Sequence, residues 1–257
     1  MVLSGFRKEV SMKPTISPVG DCAISIDFGQ VIDPKINRHI RQTIERLQAL
    51  QLDGIIELVP TYCALLLQYD AMLYSYSELC NIIEPTLEQT VTENDNELVT
   101  IVEVPTVYGG EFGPDLGFVA SHNNLTEDEV IAIHSGTDYL VYMLGFIPGF
   151  TYLGGMDPRI ATPRLSSPRT LIPAGSVGIA GEQTGTYPSD SPGGWQIIGR
   201  TPVTMYDMSK EQAALLSAGD YVRYVPIDEA EYNRIKVLGA DYASSMYEVE
   251  VGELRGY

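Results

Sequence analysis

Four arginines and a single tryptophan stand in a glycine-rich segment between residues 145 and 202. These 58 residues hold 11 of the 24 glycines and 8 of the 16 prolines of the chain. The segment carries a formal charge of +1, while the rest of the chain carries −19. Every positive charge in it is an arginine, whose planar guanidinium suits two-point binding of a carboxylate or phosphate. We therefore expect this segment to bind a small anion.

Trp195, the one tryptophan of the chain, lies beside two glycines in that segment. It belongs to residues 188–201, PSDSPGGWQIIGRT, which include Arg200. Glycine loops bring backbone N–H groups against a ligand because no Cβ intervenes, and an indole ring beside them forms an apolar wall or lid. The alternative is that Gly193 and Gly194 only turn the chain while Trp195 fills the core. Both interpretations stay open on the sequence.

Three residues ahead of the segment have side chains that could move protons. His134 ends a helix that opens with a capping box formed by Thr126 and Glu129. The C-terminus of a helix favours the charged form of histidine and raises its pKa, which suits a general acid or base. The alternative for His134 is a hydrogen bonder at the helix end. Glu111 and Asp115 lie in the loop GGEFGPDL, where carboxylates activate water, orient an arginine or simply face solvent.

Composition and charge exclude several classes of function. The formal charge of −18, from 16 basic and 34 acidic residues, opposes general binding to nucleic acid or to an anionic membrane. The sequence contains no GxxxxGK[ST] motif of a P-loop nucleotide site. The three cysteines and the three histidines are too scattered for a disulfide framework or a metal site. Because no membrane span and no signal peptide stand out, we expect a cytoplasmic protein.

Residues 1–95 are expected to form an α+β domain with the element order ββαββα. Two short strands in TISPVGDCAISIDFG precede a helix that Asp33 caps and that ends before Gly54. Two more strands, GIIELVP and YCALLLQYD, lead to a second helix from Ser75 to about residue 89. The polar, acidic run EQTVTENDNE, residues 88–97, has no apolar period and predicts a linker.

Residues 96–257 are expected to form a second, mainly β domain. Apolar stretches such as LIPAGSVGIA and WQIIG alternate with tight turns, a pattern typical of a small closed barrel. The stretch AGDYVRYVPI predicts a further strand. A helix from Asp228 to about Val237 is predicted within an otherwise polar C-terminal tail.

Four sequence blocks carry a resemblance to a known family. They are YGGEFGPDL, VYMLGFIPGFTYLGGMDPRIATPR, PRTLIPAGSVGIAGEQTGTYP and SPGGWQIIGRTP, all between Tyr108 and Pro202. In order and spacing they resemble the B subunit of 5-oxoprolinase, also called allophanate hydrolase subunit 1, a family that includes the sporulation kinase inhibitor KipI. The resemblance is strong over the second domain and general over the first. HSGTDY stands in place of an HSAP-like stretch, and no motif matches the tail.

The resemblance implies a fold, a reaction and partners. The second domain would be a cyclophilin-like β-barrel. The protein would act with a related barrel protein, the C subunit, which is similar to allophanate hydrolase subunit 2, and with a separate A subunit. The implied reaction is the ATP-dependent opening of 5-oxo-L-proline, a small anionic substrate, to L-glutamate, with ATP assigned only to the complex. Two alternatives stay open: a KipI-like inhibitor of a sensor histidine kinase, and an allophanate or urea carboxyltransferase-type subunit.

Candidate site residues follow from the residues and the resemblance together. As catalytic residues we expect His134, Glu111 and Asp115. The expected substrate-binding residues are Arg164, Arg169, Arg200, Phe146, Pro148, Gly149, Gly175, Ser176, Gln183 and Trp195. In this hypothesis the three arginines hold the carboxylate and a phosphoryl group, while Phe146 and Trp195 pack against the substrate ring. No metal site is expected.

Overall fold

The computed structural model describes residues 14–88 and 97–256 of the chain. The chain divides into two compact units, residues 1–92 and 93–257. Each unit has its own hydrophobic core, as expected of units that fold as domains. Most of the predicted linker, residues 89–96, lies outside the described residues.

The first unit is a four-stranded antiparallel sheet with two helices. Its elements are β1 (Thr15–Val19), β2 (Ala23–Asp27), α1 (Pro34–Ala49), β3 (Ile55–Pro60), β4 (Ala64–Tyr69) and α2 (Tyr76–Leu87). The strand order is β1-β2-β4-β3. Alternate residues of the central strands, such as Ile24, Ile26 and Leu67, are fully buried because side chains along a strand alternate between its faces. They share one core with the apolar stripe of α1, which includes Ile36 and Ile40.

Local capping sets the helix starts in this unit. The Asp33 carboxylate accepts the Lys35 N–H at 2.8 Å, which satisfies one of the free donors at the start of α1. Ser75 and its partner three residues later form a reciprocal capping box at α2. Both predicted helix starts are confirmed. α1 ends at Ala49 rather than beside Gly54, because Gln51 already has the left-handed φ of 48° and breaks the helix.

The second unit is built on an eight-stranded sheet that is nearly closed into a barrel. Its elements are β5 (Leu98–Tyr108), α3 (Leu116–His122), α4 (Glu127–Ser135), β6 (Asp138–Leu144), β7 (Thr151–Gly154), β8 (Arg169–Ile172), β9 (Ser176–Ala180), β10 (Gln183–Thr186), β11 (Ser191–Gly193), β12 (Gln196–Arg200), β13 (Tyr221–Pro226), α5 (Glu229–Leu238) and β14 (Met246–Glu250). The strand order is β10-β9-β12-β5-β13-β6-β7, with β14 also paired to β5. β7 lies next to β10, which brings the two ends of the sheet together. The fold of this unit is therefore mixed α/β with a barrel-like sheet.

A small ribbon and its loops stand outside the barrel-like sheet. β8 and β11 pair with each other in an antiparallel ribbon whose register shifts between Ser191 and Gly193. Because β11 leads directly into Trp195 and β12, the ribbon positions the glycine-rich loop that the sequence singled out.

A buried ion pair fixes the C-terminal tail to the barrel. Arg223 of β13 donates to the two carboxylate oxygens of Asp138 at 2.6 and 2.7 Å, and both residues are buried. The Asp138 carboxylate also accepts the backbone N–H of Arg255 at 2.8 Å. Such a pair is stable in the interior only when its oxygens and protons are all bonded. The tail holds the predicted helix, α5 after its cap Asp228, but its strand β14 was not foreseen.

Candidate functional site

A cavity of about 450 Å³ opens beside the β8–β11 ribbon. Its wall is mainly aromatic and glycine-rich, and it is lined by Phe146, Phe150, Tyr152, Arg164, Pro168, Gln183, Tyr187, Pro192, Gly193, Gly194 and Trp195. We call it the aromatic cavity. Four of the predicted binding residues line it: Phe146, Arg164, Gln183 and Trp195. A concave, apolar site with a few polar groups is the usual form of a small-molecule site.

Three rings form the floor of the aromatic cavity. Trp195 meets Phe150 and Tyr187 edge to face, with ring centroids 5.9 and 6.0 Å apart. This geometry matches the preference of the aromatic quadrupole and makes the floor rigid. Trp195 is only 8% exposed and shares a core with Ile172 and Ile197. Trp195 therefore packs in the core and also lines the cavity, so that its binding of a ligand stays a prediction.

The two glycines before Trp195 differ in what surrounds them. A Cβ on Gly193 would overlap the Tyr187 hydroxyl and lie 2.8 Å from a methyl of Ile172. Any larger residue there would push the floor apart. Gly194 has room for a Cβ, and its carbonyl accepts the Leu165 N–H at 2.7 Å. Gly193 is thus required by packing against the cavity floor, while Gly194 is not.

Asp115 holds the backbone around Trp195 in place. One carboxylate oxygen accepts from Arg169 Nη2 at 2.7 Å, and the other accepts the Ile197 N–H at 2.6 Å. Arg169 Nη1 in turn donates to the Trp195 carbonyl at 3.3 Å. Of the roles considered for Asp115, the structure shows the orientation of an arginine. Asp115 is not among the residues that line the aromatic cavity, so its carboxylate is not placed to activate water there.

Arg164 and Tyr187 give the aromatic cavity its polar groups. Arg164 is exposed, and its guanidinium forms no hydrogen bond or ion pair with any residue in 14–88 or 97–256. Burial raises the pKa of the Tyr187 hydroxyl to about 12, against the lowering effect of Arg164 and Arg169. Tyr187 is therefore a neutral hydroxyl near neutral pH and can donate a hydrogen bond to an anion.

Phe146 stands at the rim in a strained backbone conformation. Its φ is +67°, a left-handed value that is unusual for a residue with a bulky side chain, and its side chain is 67% exposed. It meets Phe150 edge to face at 5.6 Å. Pro148 and Gly149, also predicted, face a neighbouring open groove instead of the aromatic cavity, although Phe146 lines both.

His134 lies inside the barrel, away from the cavity lining. It is fully buried, with Nδ1 2.7 Å from the Tyr108 hydroxyl and Nε2 2.8 Å from Thr184 Oγ1. Since Thr184 donates to the Gly178 carbonyl, the ring is a neutral Nε2–H tautomer that accepts from Tyr108. Burial lowers the pKa of His134 to about 3, which is opposite to the expected direction because desolvation outweighs the helix end. The geometry gives His134 a structural role and does not support proton transfer to a ligand in the aromatic cavity.

The remaining predicted residues lie apart from the aromatic cavity. Arg200 and Gly175 line a separate cavity of about 410 Å³. Ser176 is fully buried at the start of β9, and Glu111 is exposed in its loop. The expected single hollow with three arginines is therefore divided: Arg164 lines one cavity, Arg200 another, and Arg169 is held by Asp115 and the Trp195 carbonyl.

Among residues 14–88 and 97–256, no cluster of three or more His, Cys, Asp or Glu side chains could hold a metal ion. In the same part of the chain, no helix combines the length and apolar character needed to cross a membrane.

The chain is similar to a known class of protein over most of its length. The family model described as carboxyltransferase domain, subdomain C and D, matches residues 14–216. The urea amidolyase of K. lactis has the same fold, with a TM-score of 0.76 over 95% of this chain and 17% of that one, at 22% identity. A structure of an uncharacterized protein from Pyrococcus horikoshii is 47% identical, covers 85% of this chain and all of that one, and gives a TM-score of 0.51.

A relative with a high sequence identity identifies the family within this class. The B subunit of 5-oxoprolinase from Bacillus subtilis (strain 168) is 43% identical over 237 residues, which cover 88% of this chain and 98% of that protein. The chain therefore belongs to the family of 5-oxoprolinase B subunits within the carboxyltransferase subdomain C and D class.

Proposed function

We propose that the chain is the B subunit of an ATP-dependent 5-oxoprolinase, which opens 5-oxo-L-proline to L-glutamate together with its A and C subunits. The observation that carries this proposal is the aromatic cavity with Arg164, found in a member of this family. Its volume of about 450 Å³ is more than a five-membered lactam fills. The surplus leaves space for a phosphoryl group or for a loop of a partner protein.

The cavity matches the chemical groups of 5-oxoproline. The substrate carboxylate pairs with the guanidinium of Arg164, which has no other partner among the described residues. The apolar side of the lactam ring packs between Phe146 at the rim and Trp195 at the floor. The Tyr187 hydroxyl and the Gln183 amide lie on the same lining and supply donors to the lactam oxygen.

Among the described residues, the lining of the cavity contains no carboxylate and no histidine for proton transfer. Burial keeps the hydroxyl of Tyr187, which also lines it, protonated near neutral pH. Asp115 is a positioning residue: it binds Arg169, which in turn donates to the Trp195 carbonyl. We propose that another protein of the complex supplies the acid and base, so that the chain alone is inactive.

ATP enters the proposal at the level of the complex. The ring opening needs activation of the lactam oxygen, and ATP supplies this activation by phosphorylating that oxygen. The sequence offers no P-loop to bind ATP. A cytoplasmic location follows from the need for ATP, and a cyclophilin-like type of barrel follows from the family resemblance. Both are parts of the same proposal.

The test is reconstitution with matched arginine variants. The chain is co-expressed with homologues of the A and C subunits, and ATP-dependent formation of glutamate from 5-oxoproline is measured. We expect glutamate only when all three chains are present. Arg164→Gln should raise KM by about 10- to 100-fold, because a charge-assisted hydrogen bond is lost. Arg159→Gln is the control, since Arg159 is bound to Asp157 outside the cavity. Equal kinetics for the two variants would reject the assignment of Arg164.

A carboxyltransferase role is the second candidate, because the matching family model bears that description. The observation that separates the two is the partner. A complex that transfers a carboxyl group to urea with a biotin-dependent partner, and that forms no glutamate from 5-oxoproline, would favour the carboxyltransferase. For inhibition of a sensor histidine kinase, the third alternative, the family resemblance is the sole support.

A further inference from the structure

The second cavity of the barrel unit, of about 410 Å³, has a lining unlike that of the aromatic cavity. It lies between the loop before β9, the loop after β10, the segment after β12 and helix α5. Its lining residues are Pro173, Ala174, Gly175, Pro188, Asp190, Arg200, Thr201, Pro202, Val203, Thr204, Tyr232 and Lys236. Two cationic side chains, Arg200 and Lys236, reach it from different elements of the fold. We call it the basic cavity.

Arg200 has an unused hydrogen-bond donor. Its Nε is shielded from solvent and has no hydrogen-bond partner among the described residues. The guanidinium carbon lies 5.9 Å from the centre of the Phe112 ring, which fixes the side chain by a cation–π contact without neutralising its charge. Because the shielded Nε is not reached from the open cavity, the positive charge of the guanidinium and its terminal N–H groups are what Arg200 offers to an oxyanion there.

Lys236 also lacks a carboxylate partner in the part of the chain that the structure describes. It lies in the last turn of α5, and its Nζ is 5.8 Å from the centre of the Tyr232 ring. Within residues 14–88 and 97–256 it forms no ion pair. Arg234, two residues earlier on the same helix, contrasts with it because Arg234 is bound to Glu231 at 2.6 Å. The Lys236 ammonium can therefore pair with a ligand in this cavity.

One acidic residue shares the basic cavity. Asp190 lines it, and its Oδ1 accepts the Ala174 N–H at 2.8 Å. The lining therefore keeps a net positive charge, in a chain whose formal charge is −18. An unneutralised pair of cations is unusual on so acidic a molecule, and it concentrates anions locally.

We propose that Arg200 and Lys236 form a second oxyanion-binding site, separate from the aromatic cavity, that takes the phosphate or carboxylate group of a small ligand. The site recognises the oxyanion by hydrogen bonds from the guanidinium and the ammonium, while Asp190 disfavours a second negative group nearby. The proposal does not depend on 5-oxoprolinase activity, because it concerns binding by the chain itself.

The experiment measures the binding of simple anions by the purified full-length chain. Inorganic phosphate and, separately, acetate are titrated by calorimetry at constant ionic strength. Saturable binding of at least one of them is expected, and the arm that responds identifies the type of oxyanion. Arg200→Gln and Lys236→Gln should each weaken binding at least about 10-fold. Asp190→Asn should strengthen it, and Lys236→Arg should retain most of it.

Two control variants separate this site from its surroundings. Arg234→Gln removes the same charge from the same helix, and Arg159→Gln removes an arginine that is bound to Asp157 and lines neither cavity. Both should bind the anion as the unchanged chain does. The proposal is overturned if neither anion binds, if Arg234→Gln weakens binding as much as Lys236→Gln, or if only Arg164→Gln abolishes it. If Arg200→Gln fails to fold, anion binding by Lys236→Gln still tests the proposal, because Lys236 is exposed.

Discussion

Removal of the Asp115 carboxylate should loosen the floor of the aromatic cavity and lower the stability of the chain. Asp115→Ala leaves the buried Ile197 N–H without an acceptor, which costs about 1–3 kcal/mol. It also removes the carboxylate partner of Arg169, and because that side chain is 32% exposed the loss is only about 0.5–1 kcal/mol. The sum of about 1.5–4 kcal/mol corresponds to a fall in Tm of roughly 3–16 °C for a protein of this size.

The single tryptophan supplies a direct assay for this change. Trp195 is the only tryptophan of the chain, and Arg169 donates to its carbonyl. Urea unfolding followed by tryptophan emission therefore measures stability, and the emission maximum of the folded state reports the environment of the floor. Asp115→Asn should recover part of the loss because its amide oxygen can still accept the Ile197 N–H. The reasoning is refuted if Asp115→Ala is no less stable than Asp157→Ala, whose ion pair lies outside the cavity.

Three further outcomes are expected. Between pH 6.5 and about pH 3, acidification should lower the unfolding free energy of the unchanged chain more steeply than that of His134→Gln, by about 1.4 kcal/mol per pH unit. The reason is that His134 binds a proton in the unfolded state and not in the folded state. Above pH 6.5 the two chains should show the same dependence on pH. Gly193→Ala should cost about 1–3 kcal/mol by overlap with the Tyr187 hydroxyl, whereas Gly194→Ala should fold with little loss, as thermal unfolding of the pair would show. Phe146→Gly should keep or raise Tm by relieving the left-handed backbone, while KM for 5-oxoproline in the assembled complex rises; an unchanged KM would remove Phe146 from the site.

Local sequence signals predicted the starts of α1, α2, α4 and α5, whereas α3 was not predicted. Asp33 and the capping box at Ser75 fixed helix starts because the capping atoms lie within three residues of one another. The box of Thr126 and Glu129 is likewise present at α4. Strand β14 escaped notice because its alternation of half-buried and exposed residues gives no strong apolar period.

The site was harder to predict because its contacts join distant parts of the chain. Asp115 and Arg169 are 54 residues apart in sequence and meet only in the folded unit. Nothing local distinguishes Arg164 at the aromatic cavity from Arg200 at the basic cavity. The position of Tyr187 in the floor has a faint signal, since it precedes the proline- and glycine-rich loop that returns to Trp195. The helix-end rule misjudged His134 because burial depends on the packed barrel and not on the helix.

The pairing of β14 with β5 has a consequence for handling the protein. Residues 246–250 cover the backbone of residues 98–102, whose other neighbour begins only at residue 101. Shortening the chain ahead of residue 246 would uncover a row of free N–H and C=O groups on a strand rich in valine, an open template for another molecule to add to. The same cut would take away the backbone N–H that Arg255 gives to Asp138. Truncated forms should therefore self-associate into insoluble material even where the barrel itself still forms.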